Sequence, residues 1–241
     1  MQPSIHSISL LQLSIAFIPV FIALWIMYHA SLNTKKASYA LSRMLLQLLL
    51  VGYFLSYIFD SNSSIIILLV LIVMLLASSW IALDALSVKK KDLYAAVLLA
   101  IIVGGGGTLL LITQGVLQLN PWYSPAYMIP LAGMIFANSM TSISLAAERL
   151  YAELARGEAY AKAKHVALQA ALIPVINSLL AVGLVSLPGM MTGQILSGVS
   201  PLIAARYQIM VMCMIFASSV ISSALFLKWL PKKTSGLSND Q

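Results

Sequence analysis

Long apolar runs separated by short polar breaks dominate this chain. The runs cover about Ser9–His29, Leu41–Phe59, Ser64–Leu86, Leu93–Thr113, Ala126–Ala147, Val166–Leu187 and Ala205–Leu227. A helix that crosses a bilayer needs about 20 mostly apolar residues, and each run approaches or exceeds that length. The breaks have physical causes. Asp60-Ser-Asn-Ser63 is polar and turn-prone, and Lys89-Lys-Lys-Asp92 cannot lie in hydrocarbon. Asn120-Pro-Trp-Tyr-Ser-Pro125 combines helix breakers with aromatics that favour the membrane interface. The pattern predicts an all-α fold, a polytopic transmembrane bundle of about seven spanning helices.

Composition agrees. Only 9% of the 241 residues are charged and 61% are hydrophobic, whereas a soluble domain carries about 25% charged residues. The net charge of +7 does not point to nucleic acid, because the basic residues sit at the ends of the apolar runs instead of clustering on one exposed element. Of the 14 lysines and arginines, all but Arg206 fall on one side of the predicted bundle. The positive-inside rule makes that side cytoplasmic. The N-terminus is then outside, the C-terminus is cytoplasmic, and the chain belongs in the inner (plasma) membrane. The first run lacks the basic lead of a cleavable signal peptide and is expected to remain as a span. Residues 1–233 are expected to form a single transmembrane domain, with 234–241 as a disordered cytoplasmic tail.

The longest cytoplasmic connection, about 148–165, carries charges of both signs at Glu148, Glu153, Arg156 and Glu158, with Gly157 interrupting it. Leu150, Tyr151, Leu154 and Ala155 fall at helical spacing. The expectation is a short amphipathic helix, a glycine turn and a basic lead-in to the sixth span. Such a segment either lies at the headgroups as a connector or docks on a cytoplasmic partner.

Polar residues inside the runs are the other candidates. Asn138 and Asn177 are costly in hydrocarbon unless bonded, so both should face the bundle, holding helices together or lining a polar path. Pro174 removes a backbone donor and can kink the sixth span. Pro188-Gly189-Met190-Met191-Thr192-Gly193, followed by Gln194, is rich in helix breakers between two hydrophobic spans. A mouth, a re-entrant turn, a gate or a plain turn all fit it. Asp84 lies near the lysine cluster and is expected to pair with it. The methionines suit packing or soft ions, so the sequence leaves any metal site unknown. Cys213 is alone, and His6, His29 and His165 are far apart. No Walker A, HExxH or GxSxG pattern occurs, so enzyme chemistry has little to stand on. Gly104–Gly107 lacks the Walker lysine and is expected to pack closely against another helix.

Two stretches carry a resemblance. Glu153-Leu-Ala-Arg-Gly157 is similar to the loop of ABC importer permeases that fits a cleft on the ATPase subunit. More specifically, Ile129-Pro-Leu-Ala-Gly-Met-Ile-Phe-Ala-Asn-Ser-Met140, Ala171-Leu-Ile-Pro-Val-Ile-Asn177, Val182–Gly198 and Ala205-Arg-Tyr-Gln-Ile209 resemble the FetB-type ABC permease family. That family includes bacterial iron exporters and is related to plant permease subunits linked to aluminium tolerance. The resemblance implies a non-enzymatic permease subunit that exports iron or another metal species. It implies a homodimer with two copies of a separate ATPase, which binds the ATP and magnesium, so this chain would hold no cofactor of its own. The alternatives are a secondary transporter or channel without an ATPase, and a non-transporting membrane scaffold.

Overall fold

The computed structural model describes residues 8–59, 63–84 and 90–230. The expected tail at 234–241 and the Lys89 end of the lysine cluster lie outside the described residues. The described chain is helical, with no β-strand, and seven of its helices are long and apolar enough to cross a membrane. They are α1 (Leu10–His29), α2 (Thr34–Phe59), α3 (Ser64–Ala82), α4 (Leu93–Val116), α5 (Pro125–Ala155), α6 (Tyr160–Ala181) and α8 (Pro201–Trp229). A short eighth helix, α7, runs Gly189–Leu196. The chain is a multi-pass membrane protein.

Helix starts follow local chemistry. Ser9 and Gln12 form a reciprocal capping box at the start of α1. Asn33 Oδ1 accepts the Lys36 amide at 3.0 Å in front of α2. Pro125 and Pro201 stand in the first turn of α5 and α8, where a missing N–H leaves nothing unpaired.

The chain divides into two compact units, Met1–Ser61 and Asn62–Gln241. In the first, α1 and α2 bury none of their residues across the spanning windows. The second holds a packed core. There α5 lies against α3, α6 and α8, and α4 lies against α8. Lipid is as apolar as leucine, so small and hydroxyl-bearing residues govern this packing. Ser139 Oγ donates to the Ser218 carbonyl at 3.3 Å, and Ser222 Oγ donates to Ser139 Oγ at 3.1 Å. Ser144 Oγ donates to the Ala82 carbonyl at 2.8 Å and ties α5 to α3.

Helix α4 contains two π-helical stretches, Ile101–Gly106 and Leu111–Val116. The expected close-packing role of its glycines holds at two of them. Gly104 abuts Ser222 of α8, and Gly105 faces Ile135 and Phe136 of α5. Thr108 and Thr113 return hydroxyl hydrogen bonds to the carbonyls of Gly104 and Leu109 at 2.6 and 2.9 Å, supplying donors where the widened helix changes its ladder.

Four expected boundaries move by six residues or more. The second span starts earlier, at Thr34 instead of Leu41. The fifth span does not end at Ala147: α5 continues without a break to Ala155. There is thus no separate amphipathic helix after it. The sixth span starts earlier, at Tyr160, and stops at Ala181 instead of Leu187. Val182–Leu187 is apolar, but it turns at Gly183 with φ 84°, and the Gly183 amide donates to the Ser186 carbonyl.

Candidate functional site

Two regions collect the candidate residues. The first is the corner between α5 and α6. Its geometry begins with Gly157, at φ 82°, in the left-handed region that glycine occupies without steric cost. The Gly157 amide donates to the Leu154 carbonyl at 3.0 Å, and the Glu158 amide donates to the Glu153 carbonyl at 3.2 Å. This pair of bonds is a Schellman motif, the commonest way to satisfy the last carbonyls of a helix. Gly157 is therefore the stop signal for α5.

Around that stop the charges pair. Glu153 is buried and its Oε1 receives Arg149 Nη2 at 2.7 Å and Arg156 Nη1 at 3.1 Å. Glu158 pairs with Lys162 at 2.8 Å, one turn along α6. Leu150 and Leu154 are buried, whereas Glu148, Ala155, Arg156 and Gly157 are exposed. The corner thus presents a small exposed tip over an ion-paired base. Lys164 lies 5.6 Å from the centre of the Tyr160 ring, within cation–π range.

The second region lies between α5 and α6, with Thr141, Pro174 and Ser178 exposed at its edge. Asn138, Thr141, Ser142, Ala171, Pro174, Val175, Ser178 and Ile215 line a cavity of about 100 Å³. Asn138 Nδ2 donates to the Met134 carbonyl at 2.8 Å. Thr141 Oγ1 donates to the Ala137 carbonyl at 2.9 Å. Pro174, inside α6, brings no N–H to the carbonyl of Ala170 one turn earlier. The cavity offers neutral hydrogen-bonding groups near the middle of α5 and in the second half of α6. It can hold water or a polar solute by hydrogen bonds, not by charge neutralisation.

The cavity unites Asn138 with Pro174, as the sequence suggested for a polar path, and adds Thr141, Ser142 and Ser178. These three could have been found from spacing. Asn138, Thr141 and Ser142 recur at i, i+3, i+4, and Pro174 and Ser178 at i, i+4. Asn177 departs from expectation. It is exposed on the outer side of α6 and does not line the cavity, because α6 turns it away from the face shared by Ala171, Pro174, Val175 and Ser178.

The segment Pro188–Gln194 forms regular structure. Pro188 caps α7 in an extended conformation, and Gly189 through Gln194 are helical. Thr192 Oγ1 donates to the Pro188 carbonyl at 3.2 Å, so it bonds within α7 and does not cap α8, where Ser200 serves. Met190 meets Tyr127, Tyr207 and Met210 around a void of about 30 Å³. Met191 lines a separate groove of about 450 Å³ with Gln208, Met212 and Cys213. Neither space includes Asn138 or Pro174, so the candidates of α7 and those of the α5/α6 cavity stand apart. Among the described residues, no three His, Cys, Asp or Glu side chains are grouped to hold a metal ion.

A family model described as "Uncharacterised protein family (UPF0014)" matches residues 10–234. The chain belongs to this family. Among its curated relatives, the "UPF0014 membrane protein slr1647" of Synechocystis is 36% identical over 205 residues, 79% of each chain. The "Probable iron export permease protein FetB" of Escherichia coli is 32% identical over 236 residues, 91% of this chain and 90% of that one. "Protein ALUMINUM SENSITIVE 3" of Arabidopsis thaliana is 32% identical over 232 residues, 89% of this chain and 84% of that one. No solved structure matches. Membership in UPF0014 thus extends well beyond the segments whose motifs pointed to FetB-type permeases, to nearly the whole chain.

Proposed function

We propose that this chain is the membrane-spanning permease subunit of an ABC transporter of the inner membrane, exporting iron or another metal species. A separate ATPase, carrying ATP and magnesium, drives it, and two copies of each subunit form the complex. The N-terminus lies outside and the C-terminus in the cytoplasm. The observation that carries this reading is the near full-length similarity to a protein named as an iron export permease. The corner at Glu153–Glu158 supports it, because a rigid helix end with an exposed, mixed-charge tip suits docking on a cytoplasmic motor. ATP-driven closure of the motors would move the two corners together and switch the path that includes Asn138 and Pro174, with α7 between α6 and α8 as its gate.

The test is co-purification. The chain is expressed with a stand-alone ABC ATPase encoded beside it and extracted in mild detergent. A stoichiometric complex whose ATP hydrolysis needs both subunits is the expected result. A well-folded chain that captures no ATPase overturns the reading and leaves a channel or secondary transporter.

A further inference from the structure

The groove beside α7, about 450 Å³ in volume, gathers sulfur. Met191 of α7 and both Met212 and Cys213 of α8 line it, and Cys213 is the only cysteine of the chain. Its depth follows from helix rise. Gln208 lies about 10 Å and Cys213 about 18 Å along α8 from Pro201, at 1.5 Å per residue. Leu179, Val182, Leu187, Ala205 and Ile209 make the wall aliphatic, and no lysine, arginine, histidine or carboxylate lines it. Leu187, Ile209 and Cys213 are exposed at the rim, so the groove is open to an entering ion.

One polar side chain interrupts this wall. Gln208 lines the groove one helical turn before Met212 and is only 6% exposed. Its Oε1 is buried without a hydrogen-bond partner. An amide oxygen left unpaired in an apolar surrounding is costly, and such a group calls for a ligand to account for it. A terminal amide exchanges its oxygen and nitrogen by a half-turn about one bond. Gln208 can therefore turn either end toward whatever enters the groove.

We propose that this groove is a binding site for a soft monovalent metal ion of the Cu(I) class. The thioethers of Met191 and Met212 and the thiolate of Cys213 hold the ion, and the Gln208 amide turns its oxygen to it. Thioether and thiolate sulfur select such ions, whereas the lining has none of the imidazoles and carboxylates that harder divalent ions need. The charge closes as well. Binding displaces the Cys213 thiol proton to water, so one thiolate and one monovalent cation leave the site neutral. A divalent ion would leave a net charge in an apolar span, which is costly. Met190 and Met210 do not duplicate the arrangement, because their separate void of about 30 Å³ contains no cysteine. Resting on the permease reading above, the bound ion is a cargo of the transporter; binding itself needs only this chain.

The experiment is an anaerobic titration of the purified full-length chain in mild detergent. Cu(I) is supplied from a coloured Cu(I) chelator, and Ag(I) serves as a redox-inert substitute. One ion should bind per chain, and X-ray absorption of the bound copper should show sulfur as its nearest neighbours. Met191→Leu, Met212→Leu and Cys213→Ser should each weaken binding about ten-fold or more. Met210→Leu, in the separate void, should leave it unchanged, and excess Zn(II) should not displace the copper. Absent binding, oxygen and nitrogen neighbours alone, displacement by Zn(II), or full binding by both methionine variants overturns the proposal. So does a loss confined to Cys213→Ser, which would mark a lone reactive thiol. The absorption measurement uses the parent chain, so a variant that fails to fold does not shield the proposal. The two readings fail separately. Copper binding without ATPase capture removes only the ABC assignment, and ATPase capture without copper binding removes only the sulfur site.

Discussion

Gly104 of α4 and Ser222 of α8 are in backbone contact: a Cβ built on Gly104 would fall 2.5 Å from Ser222 Oγ and 2.7 Å from its amide nitrogen. Ser222 in turn donates to Ser139 of α5, so one glycine fixes how three helices meet.

Gly104→Ala must therefore push α4 and α8 apart. Overpacking of this kind costs about 1–3 kcal/mol, and detergent-solubilised protein should lose thermal stability in a size-exclusion melting assay. Gly107→Ala, where the added carbon meets nothing within 4 Å, is the control and should melt like the parent. Equal melting of both variants would refute the close contact.

Gly157→Ala should weaken the end of α5 by about 1–2 kcal/mol, the cost of a left-handed alanine. Gly157→Pro goes further, since proline cannot adopt a positive φ. Both variants should insert into the membrane, and Gly157→Pro should lose the stimulation of ATP hydrolysis expected of the proposed complex. Full stimulation with Gly157→Pro would mean that the corner plays no part in coupling.

Glu153→Arg places a cation between Arg149 and Arg156, which now share one carboxylate. Glu153→Gln only removes the charge. The predicted order of ATPase stimulation is parent, then Glu153→Gln, then Glu153→Arg, with membrane levels of the three chains similar. A charge-assisted hydrogen bond contributes about 1.5–3 kcal/mol, so Glu153→Gln should also lower the melting point of the purified chain. An unchanged melting point and unchanged stimulation in both variants would leave Glu153 without a role.

Asn138→Leu fills the α5/α6 cavity with an apolar side chain and removes its amide. Metal efflux from cells that co-express the ATPase should fall by an order of magnitude or more, while the complex still assembles. Pro188→Ala combined with Gly189→Leu tests α7 in the same assay. A Cβ at Gly189 meets nothing within 4 Å, so the backbone there tolerates a side chain; a loss of efflux would assign α7 a part in the path, and normal efflux would make α7 a plain connector.

Much of this was legible in the chain, for a physical reason. Hydropathy measures where lipid begins and ends, so the spans could be counted. It does not measure where a helix ends. Glu148, Arg149 and Glu153 looked like the start of a loop, yet they are good helix formers, and α5 runs through them to its glycine stop. The reverse happened after Ala181, where Val182–Leu187 is greasy enough for a span but bends at Gly183. Asn138 and Pro174 were visible because amides and prolines are rare in spans. Thr141, Ser142 and Ser178 were not singled out, because serine and threonine are common in spans, although their spacing from Asn138 and Pro174 puts them on the same faces. The π-helical stretches of α4 left no mark in the periodicity.

The unbroken course of α5 has a mechanical meaning. Ser139, tied to Ser218 and Ser222, divides the rod into arms of about 24 Å toward Ala155 and about 21 Å toward Pro125, at 1.5 Å per residue. A rod gripped near its middle is a seesaw. Moving as one stiff body about that grip, the rod would carry a sideways push of a few ångströms on the Glu153–Gly157 tip to the far end with nearly the same amplitude and the opposite sign. Asn138, one residue from the fulcrum, would then hardly translate, so one end of the helix would close as the other opened around a fixed point.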